Sequence, residues 1–358
     1  MLSKEIVVLF RDAVPEDLDA QMRKNEAKFR GKSIAIDLMQ CRSRPFLEAL
    51  RRIFDAVVAY CPRAPDDDGT SSPTQSGLAK SRSTTQASTG SLTIFGGLPL
   101  PYHSPLEKQL GRPYSRLLQM NRELEALEQH VAIRIGHARG LNDWAKPLAA
   151  AMCHFADECT AHGMAIVELW LPSNQMNSRS FAHICASFSY MPSLVVLDLA
   201  NNRLQSEDLH VLGSMLNAGR FQLQRLSLWG NDLGFDGACV LAQYLEENCS
   251  LFSVDISSNS ICDHGFERVL TALQRNMRTR VRWVGSDNNE LTSVSVVKVA
   301  TALRKTERQA PLRSIVFSML GNQLHSASDI NRIVLPLPVS SDDGVSSTGW
   351  PLSRNVIV

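Results

Sequence analysis

Residues 194–209 read LVVLDLANNRLQSEDL, and the spacing of their apolar side chains decides the fold. Leu197 and Leu199 alternate with side chains that point the opposite way, and this period of two predicts a short strand. Asn202 and a polar run follow, which predicts a turn. Further leucines at 209, 212 and 216 have the spacing of one helix face. The stretch therefore predicts one strand–turn–helix unit.

The same unit recurs along the chain at a nearly constant interval. The pattern L-x-x-L-x-L-x-x-N-x-L fits residues 194–204 and, with substitutions, IVELWLPSNQM (166–176), LQRLSLWGNDL (223–233), LFSVDISSNSI (251–261), VRWVGSDNNEL (281–291) and SIVFSMLGNQL (314–324). The asparagines of the six copies are spaced 28, 29, 28, 30 and 33 residues apart. Ser286 is an exception, because it stands at an expected apolar position. One unit cannot cover its own apolar face, so the series predicts a stack of units.

This pattern resembles the leucine-rich repeats, and specifically the ribonuclease-inhibitor-like type, over about residues 166–324. The resemblance implies an α/β leucine-rich-repeat solenoid, or horseshoe, with a parallel sheet on the concave face and helices on the convex face. Parallel strands need crossover connections of a dozen or more residues, and each unit supplies one. We expect the repeated asparagines to point inward, where their amides satisfy backbone groups at the bend after each strand.

The chain is predicted to contain five segments. The units degrade before residue 165, and Ser/Thr-rich stretches with little to bury predict disorder. The segments are degenerate N-terminal strand–helix repeats at 1–61, a disordered insertion at 62–91, degenerate repeats at 92–164, regular repeats at 165–334 and a disordered tail at 335–358. SLTIFGG (91–97) and RLLQMNRELEALEQ (116–129) indicate one more strand and helix before VAIRIGHA (131–138).

Composition indicates a cytoplasmic protein. The 37 basic and 36 acidic residues nearly cancel, so no global field favours a nucleic acid or a membrane surface as partner. No apolar run approaches the roughly 18 residues of a membrane-spanning helix. The eight cysteines contain no C-x-x-C pair, which indicates reduced thiols in a reducing compartment.

The sequence contains no motif that predicts catalysis, a cofactor or a metal. GKS at 31–33 lacks the upstream glycine and the downstream helix of a phosphate-binding loop. His154, Glu158 and His162 have the chemistry of metal ligands, but their i, i+4, i+8 spacing spans about 12 Å of helix, too far for one ion. We therefore expect no enzyme activity and no cofactor, and we expect this stripe to be an exposed polar helix face.

A basic run, RNMRTRVRW (275–283), is predicted to lie where a helix ends and the next strand begins. Its cations are Arg275, Arg278, Arg280 and Arg282. Cations near a helix C-terminus are favourable, which is typical of a solvated edge. The alternative is a site for an acidic partner or a nucleic acid, although the run lacks the interleaved aromatic residues of nucleic-acid-binding surfaces.

The concave face is predicted to carry the binding site. Strand alternation sends the residues beside the core leucines outward in three columns across six strands. Those eighteen positions, about one-twentieth of the chain, hold three of its five tryptophans. Tryptophan is enriched in binding hot spots, so exposed indoles here would indicate a protein partner. The predicted protein-binding residues are Trp170, Asp198, Arg225, Trp229, Asp255, Trp283 and Asp287.

These features predict a non-enzymatic scaffold that binds another protein on its concave face. The resemblance implies the same, because ribonuclease-inhibitor-like solenoids commonly bind proteins there. One alternative is a regulator of a small GTPase, since the Ran GTPase-activating proteins look like this fold, although Asp342 and Asp343 match their long acidic tail poorly. Another is a structural subunit of a large assembly, axonemal or ribosomal. The identity of the partner and the oligomeric state stay open.

Overall fold

The computed structural model describes residues 6–9, 17–29, 33–38, 46–60, 129–138, 140–217, 223–305, 311–324 and 356–357. Strands and helices alternate along these residues. The strands are β1 (Ile6–Leu9), β2 (Ser33–Asp37), β3 (Gln129–Arg134), β4 (Met164–Trp170), β5 (Val196–Asp198), β6 (Arg225–Ser227), β7 (Ser253–Asp255), β8 (Trp283–Gly285), β9 (Val316–Ser318) and β10 (Val356–Ile357). The helices are α1 (Leu18–Phe29), α2 (Phe46–Tyr60), α3 (Leu141–Ala161), α4 (Ser178–Ser187), α5 (Ser206–Asn217), α6 (Gly234–Glu247), α7 (Cys262–Arg275) and α8 (Ser293–Lys305).

The strands form one ten-stranded sheet in which strand order follows chain order. Every neighbouring pair is parallel, from β1 with β2 to β9 with β10. A helix follows each of the first eight strands, so each of these units adds one strand and one helix to the stack. This arrangement confirms the predicted α/β leucine-rich-repeat solenoid.

The degenerate N-terminal units belong to the same sheet. Strands β1, β2 and β3 have the sequences IVVL, SIAID and QHVAIR, and β2 pairs directly with β3. The predicted insertion at 62–91 and most of the extra unit over 91–129 fall outside the described residues, while Gln129 begins β3 instead of ending a helix. Residues 356–357 lie in the segment predicted as a disordered tail, but they form β10 beside β9.

The hydrophobic core lies between the sheet and the helices. Leu197 and Leu199 are fully buried, and the predicted helix positions Phe266 and Val269 are buried with them. Ser286, the polar residue at an apolar position, is also buried, and its hydroxyl donates to the Ser318 carbonyl at 2.7 Å. The repeat therefore tolerates a serine because the neighbouring strand supplies an acceptor. None of the described helices is long and apolar enough to cross a membrane.

The repeated asparagines form an inward ladder, as predicted. Asn202 Oδ1 accepts from the backbone N–H groups of Asn174 (3.1 Å) and Met176 (3.3 Å) in the preceding repeat. Its Nδ2 donates to the carbonyls of Leu171 (3.0 Å) and Leu199 (2.9 Å). Similar exchanges with a neighbouring repeat are made by Asn174, Asn231, Asn289 and Asn322. The ladder thus replaces the hydrogen bonds that the bend after each strand would otherwise leave unmade.

The residue before each ladder asparagine has a left-handed backbone. Its φ is positive in all six regular copies, at Ser173 (58°), Asn201 (52°), Gly230 (67°), Ser258 (55°), Asn288 (50°) and Gly321 (68°). The bend requires this conformation, which glycine and asparagine adopt most readily. Two of the six residues are serines, which do not indicate a positive φ. The residue types alone therefore did not predict the left-handed backbone at these positions.

Candidate protein-binding face

Two rows of side chains cross the sheet on the face away from the helices. The strand registers align the central row, which is Asp37, Arg134, Trp170, Asp198, Ser227, Asp255, Gly285 and Ser318. They also align the leading row, which is Glu168, Val196, Arg225, Ser253, Trp283 and Val316. Two of the three columns predicted from strand alternation are therefore correct for β4 to β9, and the third, which contains Trp229 and Asp287, lies beyond the paired residues of these strands. Asp37 and Arg134 extend the central row into the degenerate repeats, where the sequence pattern was too weak to place them.

The expected exposure of the tryptophans is wrong for two of the three. Trp170 and Trp283 are each 5% exposed, whereas Trp229 is only partly buried. Strands in a sheet are about 4.8 Å apart, so a large ring on one strand lies against side chains of its neighbours. The carboxylates of Asp198 and Asp255 are buried as well. The predicted binding residues of the two aligned rows thus lie on one face, but much of that face is packed.

Trp170 is held in an arginine–tryptophan cluster. The Arg134 guanidinium lies 4.5 Å from the Trp170 ring centroid, and that of Arg225 lies 5.8 Å away. The indole Nε1–H donates to Glu168 Oε2 at 2.9 Å, and Arg134 Nη2 is 3.8 Å from the same oxygen. Burial lowers the pKa of Arg134, an effect opposed by Glu168, Asp37 and Asp198. The cluster is held together by cation–π and ionic contacts within the protein, which gives it a structural role.

Three aspartates cap the backbone where the strands of the concave face end. Each carboxylate accepts a backbone N–H: Asp198 from Ala200 (2.8 Å), Asp255 from Ser257 (3.0 Å) and Asp287 from Leu320 (2.8 Å). Asp287 Oδ1 also accepts from the Ser318 hydroxyl at 2.6 Å. These hydrogen bonds hold the three carboxylates in fixed positions. The carboxylates are therefore pre-positioned hydrogen-bond acceptors on the concave face.

Burial makes these carboxylates costly to ionise. It raises the pKa of Asp198 to about 6 and that of Asp255 to about 6, while hydrogen bonds and Arg225 oppose the rise. Asp287 adds to the effect on Asp255, because the two like charges repel. Burial also raises the pKa of Asp287. A cation brought by a partner would relieve this cost.

The raised pKa values predict a pH dependence of stability. An unfolded aspartate has a pKa of about 3.9, so between about pH 4 and about pH 6 the folded protein binds more protons than the unfolded chain. Stability from Asp198 and Asp255 is therefore present at low pH and is lost as pH rises through about 6. We expect Asp198→Asn/Asp255→Asn to gain in free energy of unfolding, relative to wild type, from about pH 4.5 to about pH 7.5. Urea unfolding of both proteins at the two pH values checks this prediction. A difference in free energy of unfolding between variant and wild type that stays the same at both pH values would contradict it.

Trp283 carries a hydrogen-bond donor that the described residues leave unused. Its six-membered ring lies over Gly285, since a methyl group added there would overlap the ring and come 2.6 Å from Asp255 Oδ1. The indole Nε1 is buried and has no acceptor within the described part of the chain. A buried N–H without a partner costs about 1–3 kcal/mol. The acidic end of the concave face, formed by Asp255, Trp283, Gly285 and Asp287, therefore combines acceptors with one unsatisfied donor.

The histidine stripe lines a groove on the other face of the protein. A cavity of about 780 Å³ lies between α2 and α3, with stacked Phe54 and Phe155 rings 4.2 Å apart among its lining. His154 and His162 are exposed at its edge beside Glu158. The described residues contain no group of three or more ligand side chains that could hold a metal ion.

Comparison with known proteins agrees with the repeat architecture. No protein-family model matches the chain. The mouse (Mus musculus) NACHT, LRR and PYD domains-containing protein 14 is 30% identical over 137 residues, which are 37% of this chain and 14% of that protein. The chain thus aligns with a small part of a much longer relative, whose name includes leucine-rich repeats (LRR). A crystal structure of a Bacteroides fragilis protein aligns at 13% identity with a TM-score of 0.28, over 62% of this chain and 74% of that one. That score is too low to carry an argument.

Proposed function

We propose that the chain is a non-enzymatic scaffold of the ribonuclease-inhibitor-like type that binds a polypeptide segment of another protein on its concave face. The unsatisfied indole N–H of Trp283 is the observation that carries the proposal. Because this N–H is buried, the ring would have to shift when a segment binds, and a backbone carbonyl of that segment would then supply the missing acceptor. The similarity to a leucine-rich-repeat protein agrees with a role in interaction.

The acidic end of the concave face favours a bound segment that also carries a basic side chain. Asp255 and Asp287 are fixed carboxylates, and the charge of Asp287 raises the cost of ionising Asp255, an effect that Arg225 opposes. A lysine or arginine from the partner would stabilise both charges in a partly desolvated site. Trp229, partly exposed two strands from Trp283, offers an aromatic contact for the same segment.

A cytoplasmic location belongs to the same proposal. The described residues include six free cysteines, among them the buried Cys159 and Cys185. Burial raises the pKa of Cys185 to about 12 and raises that of Cys159 as well, so these thiols stay protonated and unreactive. Reduced core thiols are typical of a reducing compartment.

The proposal predicts that Trp229→Ala weakens partner capture without unfolding the protein. Trp229 is partly exposed, so its removal leaves little empty volume in the core. Wild type and variant would be used as bait for affinity capture, followed by quantitative mass spectrometry. We expect at least one wild-type partner to fall about tenfold or more with the variant, the loss typical of a hot-spot residue.

The matched control is Phe235→Ala in the same repeat. Phe235 is an aromatic residue that is 42% exposed at the start of α6, away from the concave face. Capture should be unchanged in this variant. Equal loss from both variants, or no loss from Trp229→Ala, would overturn the concave-face proposal.

A further inference from the structure

A segment outside the concave face carries cations whose side chains have no partner among the described residues. The rim segment, residues 276–282, joins α7 to β8. Asn276 is buried, and its Nδ2 donates to the carbonyls of Leu245 (2.8 Å) and Asn248 (2.6 Å) in the preceding repeat. Its Oδ1 accepts from the Arg278 backbone N–H at 3.0 Å. One side chain therefore ties the start of the rim segment to its neighbour.

A second buried side chain holds the rest of the rim segment. Thr279 is 4% exposed, and its hydroxyl accepts from the Val281 backbone N–H at 3.2 Å. The other side chains near Asn276 and Thr279 point outward. Met277 is 58% exposed, and Arg278 and Arg280 are exposed as well. The backbone that carries both guanidinium groups is thus fixed before any ligand arrives, which lowers the entropy lost on binding.

The four arginines of the basic run make different side-chain contacts. Arg275 pairs with Glu246 at 3.1 Å, and Arg282 Nη1 donates to the Val281 carbonyl at 2.8 Å. The side chains of Arg278 and Arg280 make no hydrogen bond or ion pair with any described residue. Helix-dipole stabilisation acts within the last turn of a helix, and α7 ends at Arg275. The dipole therefore explains Arg275 but not the two outward arginines beyond it.

We propose that the rim segment binds a short acidic peptide segment of a partner protein, at a site separate from the concave face. Guanidinium groups bind carboxylates in a bidentate manner, and the exposed Met277 next to Arg278 offers an apolar contact. Arg278 and Arg280 lie two residues apart, so they match carboxylates placed close together in an extended peptide. The site does not depend on the proposed function of the concave face.

The small number of free cations favours a peptide over other anionic partners. Proteins that bind DNA through phosphates commonly make about 6–10 such contacts, and they bind single strands by stacking bases on aromatic rings. The rim segment offers two arginines that have no side-chain partner in the described part of the chain, and it has no aromatic side chain. Attraction to an anionic membrane is worth about 1 kcal/mol per basic residue, which is too little here for stable attachment.

The test uses the full chain and a fluorescent peptide of alternating glutamate and leucine. Fluorescence anisotropy should show saturable binding that weakens as salt is raised. A peptide with glutamine in place of glutamate should not bind. Arg278→Glu/Arg280→Glu should weaken binding by about tenfold or more, because two attractive pairs become repulsive.

The control replaces two exposed arginines elsewhere, Arg203→Glu/Arg268→Glu, with the same change in net charge. This variant should bind the glutamate peptide like wild type, and far-UV circular dichroism should show that both variants fold. Equal weakening in both would mean that net charge governs binding and would overturn the proposal. Tighter binding of a single-stranded oligonucleotide or of phosphatidylserine vesicles, lost in the rim variant, would also overturn it.

Discussion

The Asn202→Ala variant should lose about 3 kcal/mol or more in its free energy of unfolding, because its amide satisfies several buried backbone groups. The side chain is 6% exposed and bonds to two backbone N–H groups of the preceding repeat and to three carbonyls, one in the preceding repeat and two in its own. Alanine removes all of these partners at once, and the sites are too deep for water to replace them fully. Urea unfolding followed by circular dichroism measures the change in midpoint.

The adjacent asparagine is the matched control. Asn201 is exposed, its φ is 52°, and its Nδ2 donates to the Ser173 hydroxyl at 2.8 Å. Glycine accepts the left-handed conformation without strain, so Asn201→Gly should change the free energy of unfolding by about 0.5 kcal/mol or less. If both variants lose the same stability, the inward ladder does not carry the role assigned to it.

Trp283→Ala should destabilise the protein by about 3–5 kcal/mol, as removal of a buried aromatic ring commonly does. Trp283→Phe should be near wild type in stability or slightly above it. Phenylalanine loses the outer part of the indole that lies over Gly285, but it keeps an aromatic ring at this position and removes the N–H that lacks an acceptor, so the two effects offset each other. Thermal and urea unfolding of the two variants checks this difference.

The phenylalanine variant also separates packing from binding. Under the proposed function, Trp283→Phe folds normally but retains less of the partner that Trp229→Ala loses, because the bound carbonyl has no donor. Full retention by Trp283→Phe would show that the indole N–H is not used in binding. Stability of Trp283→Ala equal to wild type would instead contradict the packing of this ring over Gly285.

The periodic positions were the predictable part of the structure. Leu197, Leu199 and Asn202 are each specified by fixed offsets, and each lies where the offsets place it. A repeat is read reliably because every copy must bury the same face against its neighbours. The extent of the stack was less predictable at its C-terminal end: β10 lies in the segment predicted as a disordered tail, and only its pairing with β9 shows that it belongs to the sheet.

The candidate site was predictable in position but not in environment. Strand alternation by itself determined that Trp170, Trp283 and Asp255 share the face away from the helices, because successive side chains must point to opposite sides. Only the tertiary structure decided that Trp170 lies between two arginines and that Trp283 lies over Gly285. Burial is set by side chains from neighbouring strands, which are about thirty residues away in the chain. The sequence therefore determined the fold and the facing of each residue, whereas packing between repeats decided which side chains remain available to a partner.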